Sequence, residues 1–571
     1  MKMNRKTVPL LTLAGLLLAG ASAHAASAVP KTDSSKTDSF LAPKLTAKSA
    51  SGWSSVILKI SGTLTAPQAA QLLSLGADIT RRLDFISSLA VTVPTRNLAK
   101  LSALPFVLHL SADSAVKKSD GFTEGASGAA AVYQKTGLTG AGVIVAVLDS
   151  GVGSNADFDS RLYNVISFVP GDSSTSDACG HGTHVAGIIA GGGQSSTGPG
   201  FTRSFHGIAR GSYIAGIRVL DQYGTGTVSS ILVGIQYVVQ TKLKYNYTRP
   251  VVMNLSLGHP VGESYKTDPL CQAVEVAWKS GIVVVCAAGN TGRTNTAKQA
   301  GAANEGWGAN YGSIQSPGND PYVITVGAIK SVDGNHAHDR IATYSSRGPS
   351  RLDLVLKPDI LAPGNKIISL NTPGSYLATK YAVNNQVPLS YYSTGTVSGL
   401  SADYLQLSGT SMAAPVVAGA AALLLQKDPT LTPDMVKARL MVSADKWATP
   451  DASGAAKGTP DACTYGAGCL NIAAALACTA APTQAALSPA LTQDSGGTVS
   501  LDASKIVSGS HLIWGTTGLT DLHVIWGSTT VSGTNTLAAS HVIWGSSVWS
   551  DHVIWGSSTD TVDLQTAAYG E

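Results

Sequence analysis

Short runs of consecutive apolar residues alternate with segments of helical periodicity through most of the chain. Such runs are typical of strands buried on both faces, because an exposed face would require alternating polar residues. The strands predicted in this way are 143–148, 212–220, 250–257, 282–288 and 321–328. The helices predicted among them are 181–189, 229–242, 270–280 and 411–427. This order predicts an α/β fold over residues 121–478, with a mainly parallel sheet and helices on both faces.

A smaller pattern precedes this domain. Residues 53–115 predict a small α+β unit, which buries too little surface to be very stable alone. Its expected strands are 56–60, 86–93 and 106–110, and its expected helices are 66–75 and 97–103. Residues 26–52 are rich in Ser, Thr, Ala and Lys, and they are expected to form a flexible spacer.

The final segment, residues 480–571, has a different character. Four near-copies of the pentapeptide His-Val-Ile-Trp-Gly begin at His511, His523, His541 and His552, and a Gly-Ser or Gly-Thr turn follows each. Each copy predicts a short strand that ends in a turn, so a β-rich repeat tail is expected. Metal or carbohydrate binding is the alternative, but no metal site is predicted, because one His in each copy does not supply convergent ligands.

Composition and the N-terminal sequence indicate the expected partners and the cellular location of the protein. Charged residues make up 13% and the net charge is +4 with no long basic run, so nucleic acid is not an expected partner. Residues 1–25 combine a basic start, an apolar run and the segment Ala23-His24-Ala25, which is typical of a cleaved signal peptide. A membrane anchor is disfavoured because the run is too short. A secreted monomer, extracellular or at the cell surface, is expected, with no transmembrane segment.

Cysteine usage is compatible with export. The chain has six cysteines, and an even number in an exported protein permits disulfides. Cys463 and Cys469 are the favoured pair, because a Gly-containing loop links them. Cys179, two residues before His181, is an alternative nucleophile, but Ser411 already fills that role.

Three short motifs contain the candidate chemistry. Asp149 follows the strand 143–148, His181 lies in Gly-His-Gly-Thr-His, and Ser411 lies in Gly-Thr-Ser-Met-Ala. A serine hydroxyl needs an adjacent base, and a carboxylate fixes the tautomer of that base. Ser411 is therefore the predicted nucleophile, His181 the general acid and base, and Asp149 the orienting carboxylate. Asn290 and the Ser411 N–H are the predicted donors to the oxyanion.

These motifs resemble those of the subtilisin-like serine peptidases (subtilases), in which acid, base and nucleophile follow in this order. Segments 254–258, 345–349 and 357–364 match as well. The resemblance covers about 130–478, and residues 53–113 resemble the inhibitory propeptide of the family. It implies a propeptide that assists folding, blocks the cleft with its last strand and is cut between about Asp113 and Gly121.

The resemblance also implies that a substrate binds as an added strand between two walls. The implied substrate-binding residues are Ser256, Leu257, Gly258, Gly224, Gly226, Ala288 and Gly289. Residues 291–320 and 371–406 look like insertions, and the second is expected to edge the cleft. No cofactor is required for the chemistry, and structural calcium is not assigned because the loop 191–203 matches the family poorly.

Other polar residues near the motifs are expected to have structural rather than catalytic roles. His184 is expected to be a structural histidine, and Asp157 and Asp159 are expected to be solvated or capping. Asp177 is expected to cap the helix that begins at His181. The predicted function is a secreted, self-processing serine endopeptidase that acts on proteins and peptides. Two alternatives remain: a peptide ligase with the same acyl-enzyme, and a non-catalytic binding protein that works through its repeats.

Overall fold

The computed structural model describes residues 36–46, 52–113, 115–118, 129–245, 248–297, 306–331, 339–395, 397–445, 462–482, 484–493 and 499–501. The predicted signal peptide and the four pentapeptide copies lie outside these residues. The fold is therefore that of the small N-terminal unit, the large α/β domain and a short segment that follows it.

The N-terminal unit is a four-stranded antiparallel sheet with short helices. Its sheet has the order β2-β3-β1-β4. The strands are β1 (Trp53–Ile60), β2 (Asp78–Leu83), β3 (Ser88–Pro94) and β4 (Val107–Ala112), and the helices are α1 (Ala42–Thr46), α2 (Ala66–Ser74) and α3 (Leu98–Ser102). Helix α2 begins at a capping box, in which Thr65 and Gln68 exchange side-chain to backbone hydrogen bonds. One more strand, β5 (Ala115–Lys118), follows the unit.

Part of the predicted spacer belongs to this unit. Residues 36–46 were expected to be flexible, but they have a defined conformation and include α1. Leu41 is 1% exposed and packs in the same cluster as Leu58 and Leu110. Composition alone did not predict this, because the segment is held by a few specific contacts: Leu41 and Leu45 pack on the cluster, and Asp38 accepts hydrogen bonds from Leu41 and Ala112.

The large domain has a central sheet in which the described residues supply eight strands. Its order is β15-β14-β12-β10-β6-β8-β7, and β16 also pairs with β14. All pairings are parallel except that of the short β15. The strands are β6 (Ile144–Asp149), β7 (Leu162–Ser167), β8 (Tyr213–Arg218), β10 (Val251–Leu255), β12 (Ile282–Ala287), β14 (Ile324–Lys330), β15 (Arg340–Ile341) and β16 (Ile360–Pro363). The predicted parallel sheet is confirmed, and β7, β15 and β16 are additions to it.

Helices cover both faces of this sheet. They are α4 (Ala129–Thr136), α5 (His181–Ala190), α6 (Val228–Lys244), α7 (Pro269–Lys279), α8 (Tyr376–Lys380), α9 (Ala382–Asn385), α10 (Thr410–Lys427), α11 (Pro433–Val442), α12 (Ala462–Tyr465) and α13 (Ile472–Ala477). Helices α5 and α10 pack on each other against the sheet, and α6 and α7 form a second packed pair. Among the described helices, α10 alone is long and apolar enough to cross a membrane, but 89% of that stretch is buried inside the domain.

Short strands outside the central sheet build the edges of the domain. They are β9 (Gly226–Thr227), β11 (Leu257–Pro260), β13 (Gln315–Ser316), β17 (Ile367–Leu370), β18 (Gln386–Pro388), β19 (Leu400–Leu407), β20 (Leu491–Gln493) and β21 (Val499–Leu501). Strands β17, β19 and β18 form a small sheet, so the predicted insertion 371–406 has regular structure. Tyr392 and Tyr404 from this insertion pack in an aromatic cluster with Phe201 and Phe205.

The favoured disulfide is wrong. Cys463 and Cys469 are not bonded to each other, and no disulfide joins any of the six cysteines, all of which lie in the described part of the chain. The reason is packing: Cys463, in α12, belongs to the main hydrophobic core, whereas Cys469 packs against Ile329 and Leu361 in a separate cluster. A connecting loop that is short enough for a disulfide does not aim the two side chains at each other.

Candidate active site

The carboxylate of Asp149 and the imidazole of His181 are in direct contact. Asp149 is the last residue of β6, and His181 is the first residue of α5. Asp149 Oδ1 lies 2.5 Å from His181 Nδ1 and also accepts the Ser150 N–H at 2.7 Å. Both side chains are fully buried. A carboxylate at Nδ1 fixes the tautomer that leaves Nε2 available as a base.

A buried hydrogen-bond network joins these two elements. Asp177 Oδ1 accepts from Ser150 Oγ and from Gly180 N, both at 2.8 Å. Asp177 Oδ2 accepts from Thr183 N at 2.8 Å and Thr183 Oγ1 at 2.7 Å. The expected capping role of Asp177 is confirmed, but the side chain is only 1% exposed and is not solvated. Sequence reasoning missed Ser150 and Thr183, which lie beside the motif residues but have no separate signal.

Ser411 lies in the first turn of α10, with its side chain against the residue that precedes β11. Its Oγ donates to the carbonyl of Ser256 at 2.9 Å, and Ser256 Oγ donates to the carbonyl of Ser411 at 2.6 Å. Asn254 Nδ2 donates to Ser256 Oγ at 2.9 Å, which fixes that hydroxyl in turn. Ser411 is 1% exposed in the full chain. The start of β11 and the start of α10 are thus held together at the candidate nucleophile.

Asn290 follows β12 and is oriented by Thr410. Asn290 Oδ1 accepts from the backbone N–H of Thr410 at 3.0 Å and from Thr410 Oγ1 at 3.1 Å. Because a backbone N–H can only donate, the atom that faces it must be the amide oxygen, which leaves the Nδ2 group for another acceptor. Thr410 Oγ1 also accepts the N–H of Gly289 at 3.0 Å. Thr410 therefore positions the candidate oxyanion donor, a role that the sequence did not indicate.

A segment of the chain itself occupies the predicted substrate position. Strand β5 lies between β11 and β9 in a small antiparallel sheet. On one side Lys117 pairs with Gly258 and Lys118 with Leu257. On the other side Ala115 pairs with Thr227 and Val116 with Gly226. We call β5 the cleft strand, because it fills the space between the two walls that the sequence assigns to substrate.

The predicted substrate-binding residues form these walls or lie beside them. Leu257 is 2% exposed, and Ala288 is buried. Gly224 lies in the turn that leads to β9, where its N–H donates to Asp221 at 3.0 Å. Gly226 has no room for a side chain, since a Cβ atom there would lie 2.6 Å from the Val219 carbonyl. This close approach explains why glycine suits the edge where the cleft strand pairs.

The N-terminal unit docks on the large domain through α6 and α7. Ile57, Leu83 and Ile86 of the unit belong to the same buried cluster as the core of the large domain. Hydrogen bonds across the interface include Lys59 Nζ to Gln272 Oε1, Arg81 Nη2 to the Phe168 carbonyl and Ser229 N to Asp113 Oδ1, each at 2.8 Å. Burial lowers the pKa of Lys59 and raises that of Asp113. The unit is therefore held by packing as well as by the cleft strand.

Residues near the motifs have structural roles. His184 is fully buried, with Nε2 3.0 Å from the Leu405 carbonyl, which confirms its interpretation as a structural histidine. Asp157 was expected to be solvated or capping, but it is 1% exposed and accepts from Gly193 N at 2.7 Å and Gln194 N at 2.8 Å. Burial raises the pKa of Asp157. Among the described residues, no group of three or more His, Cys, Asp or Glu side chains is arranged to hold a metal ion.

The chain is similar to known proteins over more than half of its length. Residues 140–468 match the family model described as the Subtilase family. Serine protease AprX of Bacillus subtilis (strain 168) is 38% identical over 340 residues, which are 58% of this chain and 66% of AprX. Subtilisin DY of Bacillus licheniformis is 34% identical over 343 residues, which are 60% of this chain and 93% of that protein.

A solved structure shows the same fold. Fervidolysin from Fervidobacterium pennivorans, described as a keratinolytic enzyme related to subtilisin, matches with a TM-score of 0.54. The match covers 77% of this chain and 63% of fervidolysin, at 20% identity. This likeness supports the fold and not a shared substrate.

Proposed function

Because the chain belongs to the subtilase family of serine endopeptidases, we propose that it is made as a self-processing zymogen and is secreted to hydrolyse proteins and peptides. The observation that carries the proposal is the cleft strand, which pairs on both sides with the walls next to Ser411. A peptide that adds a strand there presents its backbone to the nucleophile. The N-terminal pattern of residues 1–25 supports secretion.

In the proposed first half-reaction, His181 Nε2 takes the proton from Ser411 Oγ, and Oγ attacks the carbonyl carbon of the bond to be cut. The carbonyl oxygen becomes an oxyanion, and Asn290 Nδ2 and the Ser411 N–H donate to it. Asp149 stabilises the imidazolium through Nδ1. His181 then gives its proton to the leaving amine, the C–N bond breaks, and an acyl-enzyme remains.

In the second half-reaction, a water molecule replaces the amine. His181 takes a proton from the water as its oxygen attacks the ester carbonyl, and the same two donors hold the oxyanion. When the intermediate collapses, the C–Oγ bond breaks and the proton returns to Ser411. Activity is expected to rise with pH as His181 loses its proton in the free enzyme. A rate that keeps increasing as the pH is lowered below 5 would contradict the role of His181.

We further propose that the N-terminal unit inhibits the enzyme until it is removed. It buries Ile57, Leu83 and Ile86 on the large domain and leads directly into the cleft strand. While β5 pairs with both walls, no other peptide can add a strand there. The expected sequence of events is self-cleavage beyond the cleft strand, followed by release of the unit.

The test compares the wild-type chain with Ser411→Ala. Intact mass and casein hydrolysis are followed together after folding. We expect the wild type to lose the N-terminal unit and to digest casein, and we expect Ser411→Ala to stay full-length and inactive. If both chains are processed and active, Ser411 is not the nucleophile. If wild type is processed by added protease only, self-processing is wrong, although the peptidase assignment stands.

A further inference from the structure

The N-terminal unit also touches the large domain at Gly262, two residues beyond the end of β11 and outside the paired cleft strand. Ser39 N donates to the Gly262 carbonyl at 2.9 Å. The ring of Phe40 covers Gly262 so closely that a Cβ atom there would fall 1.9 Å from Phe40 Cε2. Gly262 does not have a left-handed backbone. The backbone conformation does not demand glycine at 262, but a methyl group there would displace the Phe40 ring.

The segment that carries Phe40 is fastened to the strand that leads into the cleft. Asp38 N donates to the Leu110 carbonyl at 3.1 Å. The Asp38 carboxylate accepts the N–H groups of Leu41 at 2.7 Å, of Phe40 at 3.0 Å and of Ala112. Ala112 is the last residue of β4, shortly before the cleft strand. Movement of residues 36–46 is thus coupled to the end of β4.

The surface beneath this segment includes buried polar groups, and burying them costs free energy. His109 Nε2 of the N-terminal unit lies 2.5 Å from Glu263 Oε2. Asp268, His259 and Phe40 line a small cavity. In the described part of the chain, Asp268 Oδ2 and His259 Nε2 are buried without a hydrogen-bond partner. Buried polar atoms without partners cost free energy. The contact of residues 36–46 with the large domain therefore consists of the Phe40 packing and the Ser39 hydrogen bond, beside polar atoms that have lost hydration.

We propose that residues 36–46 form a clasp that holds the cut N-terminal unit on the catalytic domain, with Gly262 as the position that receives Phe40. The inference rests on the proposed zymogen function and adds a contact surface outside the cleft. Because the clasp does not cover Ser411, it sets how long the cut unit stays bound and not whether the bond is cut.

The experiment uses the full chain and follows two quantities at several enzyme concentrations. Intact mass reports cleavage, and hydrolysis of a small peptide substrate reports release. Gly262→Ala is expected to shorten the lag between cleavage and the appearance of activity about fivefold, since loss of one packed aromatic contact chiefly speeds dissociation. Phe40→Ala is expected to shorten the lag by a similar factor. The double variant Phe40→Ala/Gly262→Ala should shorten it no further than either single variant, because both substitutions remove the same contact. Gly200→Ala, where a Cβ meets no atom within 4 Å, is the matched control.

A second measurement does not depend on cleavage. In uncut Ser411→Ala, hydrogen exchange over residues 36–46 is expected to speed up when Gly262→Ala is added and to stay unchanged with Gly200→Ala. An unchanged lag or an unchanged exchange rate in Gly262→Ala overturns the clasp. If wild type is not cut, the zymogen proposal fails, and the exchange experiment on the uncut Ser411→Ala chain still decides whether the clasp contact exists.

Discussion

At the scale of single residues, the site depends on side chains that touch no substrate. Thr410 gives both of its donors, N–H and hydroxyl, to Asn290 Oδ1. Its hydroxyl also accepts from Gly289 N. Thr410 is a positioning residue in the proposed mechanism, because it decides which end of the Asn290 amide faces the oxyanion.

Thr410→Val tests this role, because valine keeps the shape and the backbone N–H but loses the hydroxyl. We expect kcat to fall about tenfold with KM unchanged, which is less than the about 10²–10³-fold loss on removal of an oxyanion donor, a range measured on a subtilisin. Thr410→Ser should restore most of the activity. A fall in kcat/KM that comes from KM alone would show that Thr410 shapes the cleft instead.

Asp177 is the second residue whose importance is structural. Its two oxygens accept four hydrogen bonds, from Ser150, Gly180 and Thr183. Asp177→Asn replaces one oxygen by a donor and leaves two buried donors without an acceptor, at about 1–3 kcal/mol each. Denaturant unfolding of the uncut Ser411→Ala chain should show a loss of about 3 kcal/mol. The exposed Asp159, changed to Asn, is the control and should stay within about 0.5 kcal/mol.

At the scale of elements, the register of the cleft strand predicts the bond that is cut first. Ser411 Oγ lies 2.9 Å from the Ser256 carbonyl, so the reacting carbonyl belongs to the residue opposite Ser256. Gly258 pairs with Lys117 and Leu257 with Lys118. Continuing this antiparallel register, one residue back from Leu257 and one residue on from Lys118, predicts that Ser119, which lies outside the described residues, stands opposite Ser256.

We therefore expect the first cut between Ser119 and Asp120, within the range 113–121 that the sequence suggests. Intact mass of the earliest product, taken before later trimming, should give a mature chain that begins at Asp120. The S411A chain provides the uncut reference. A first product that begins within residues 114–118 would contradict the register, because the cut would then fall inside the paired strand.

At the scale of the whole molecule, a carboxyl group at the interface between the two units is expected to take up a proton when they associate. Burial raises the pKa of Asp113, which accepts from Ser229 and faces Arg81 and His259. A carboxyl group whose pKa is higher in the complex than after release binds protons on association. The contribution of Asp113 to the binding of the two units is fully present at pH values below its ordinary pKa of 3.8. This contribution is lost as the pH rises through the raised pKa that Asp113 has in the complex.

Release of the cut N-terminal unit should therefore become faster as the pH rises above about 4, up to the raised pKa of Asp113. The measurement is the lag between cleavage and activity at a series of pH values. Asp113→Asn, which keeps an acceptor for Ser229 but cannot ionise, should flatten this dependence. An equally steep dependence in Asp113→Asn would assign the proton uptake to other groups, such as Glu263 and Asp38, whose pKa values burial also raises.

The sequence by itself determined the α/β class and most elements of the central sheet, because continuous apolar runs such as 143–148 and 282–288 have few other ways to be buried. Strands β7, β15 and β16 were missed because Leu162–Ser167 is only half-buried and because Arg340–Ile341 and Ile360–Pro363 are short, so none of them shows a clear period. The family resemblance depended on short motifs, and these motifs also named the candidate catalytic residues.

Only the tertiary structure decided the contacts between elements that are distant in the chain. It put Cys463 and Cys469 in different clusters, made Asp177 a buried link between β6 and α5, and showed that Thr410 orients Asn290. It also turned part of the expected spacer into a segment packed on Gly262. A local pattern reports the burial of a residue but not its partner, because the partner is chosen by how separate elements pack together.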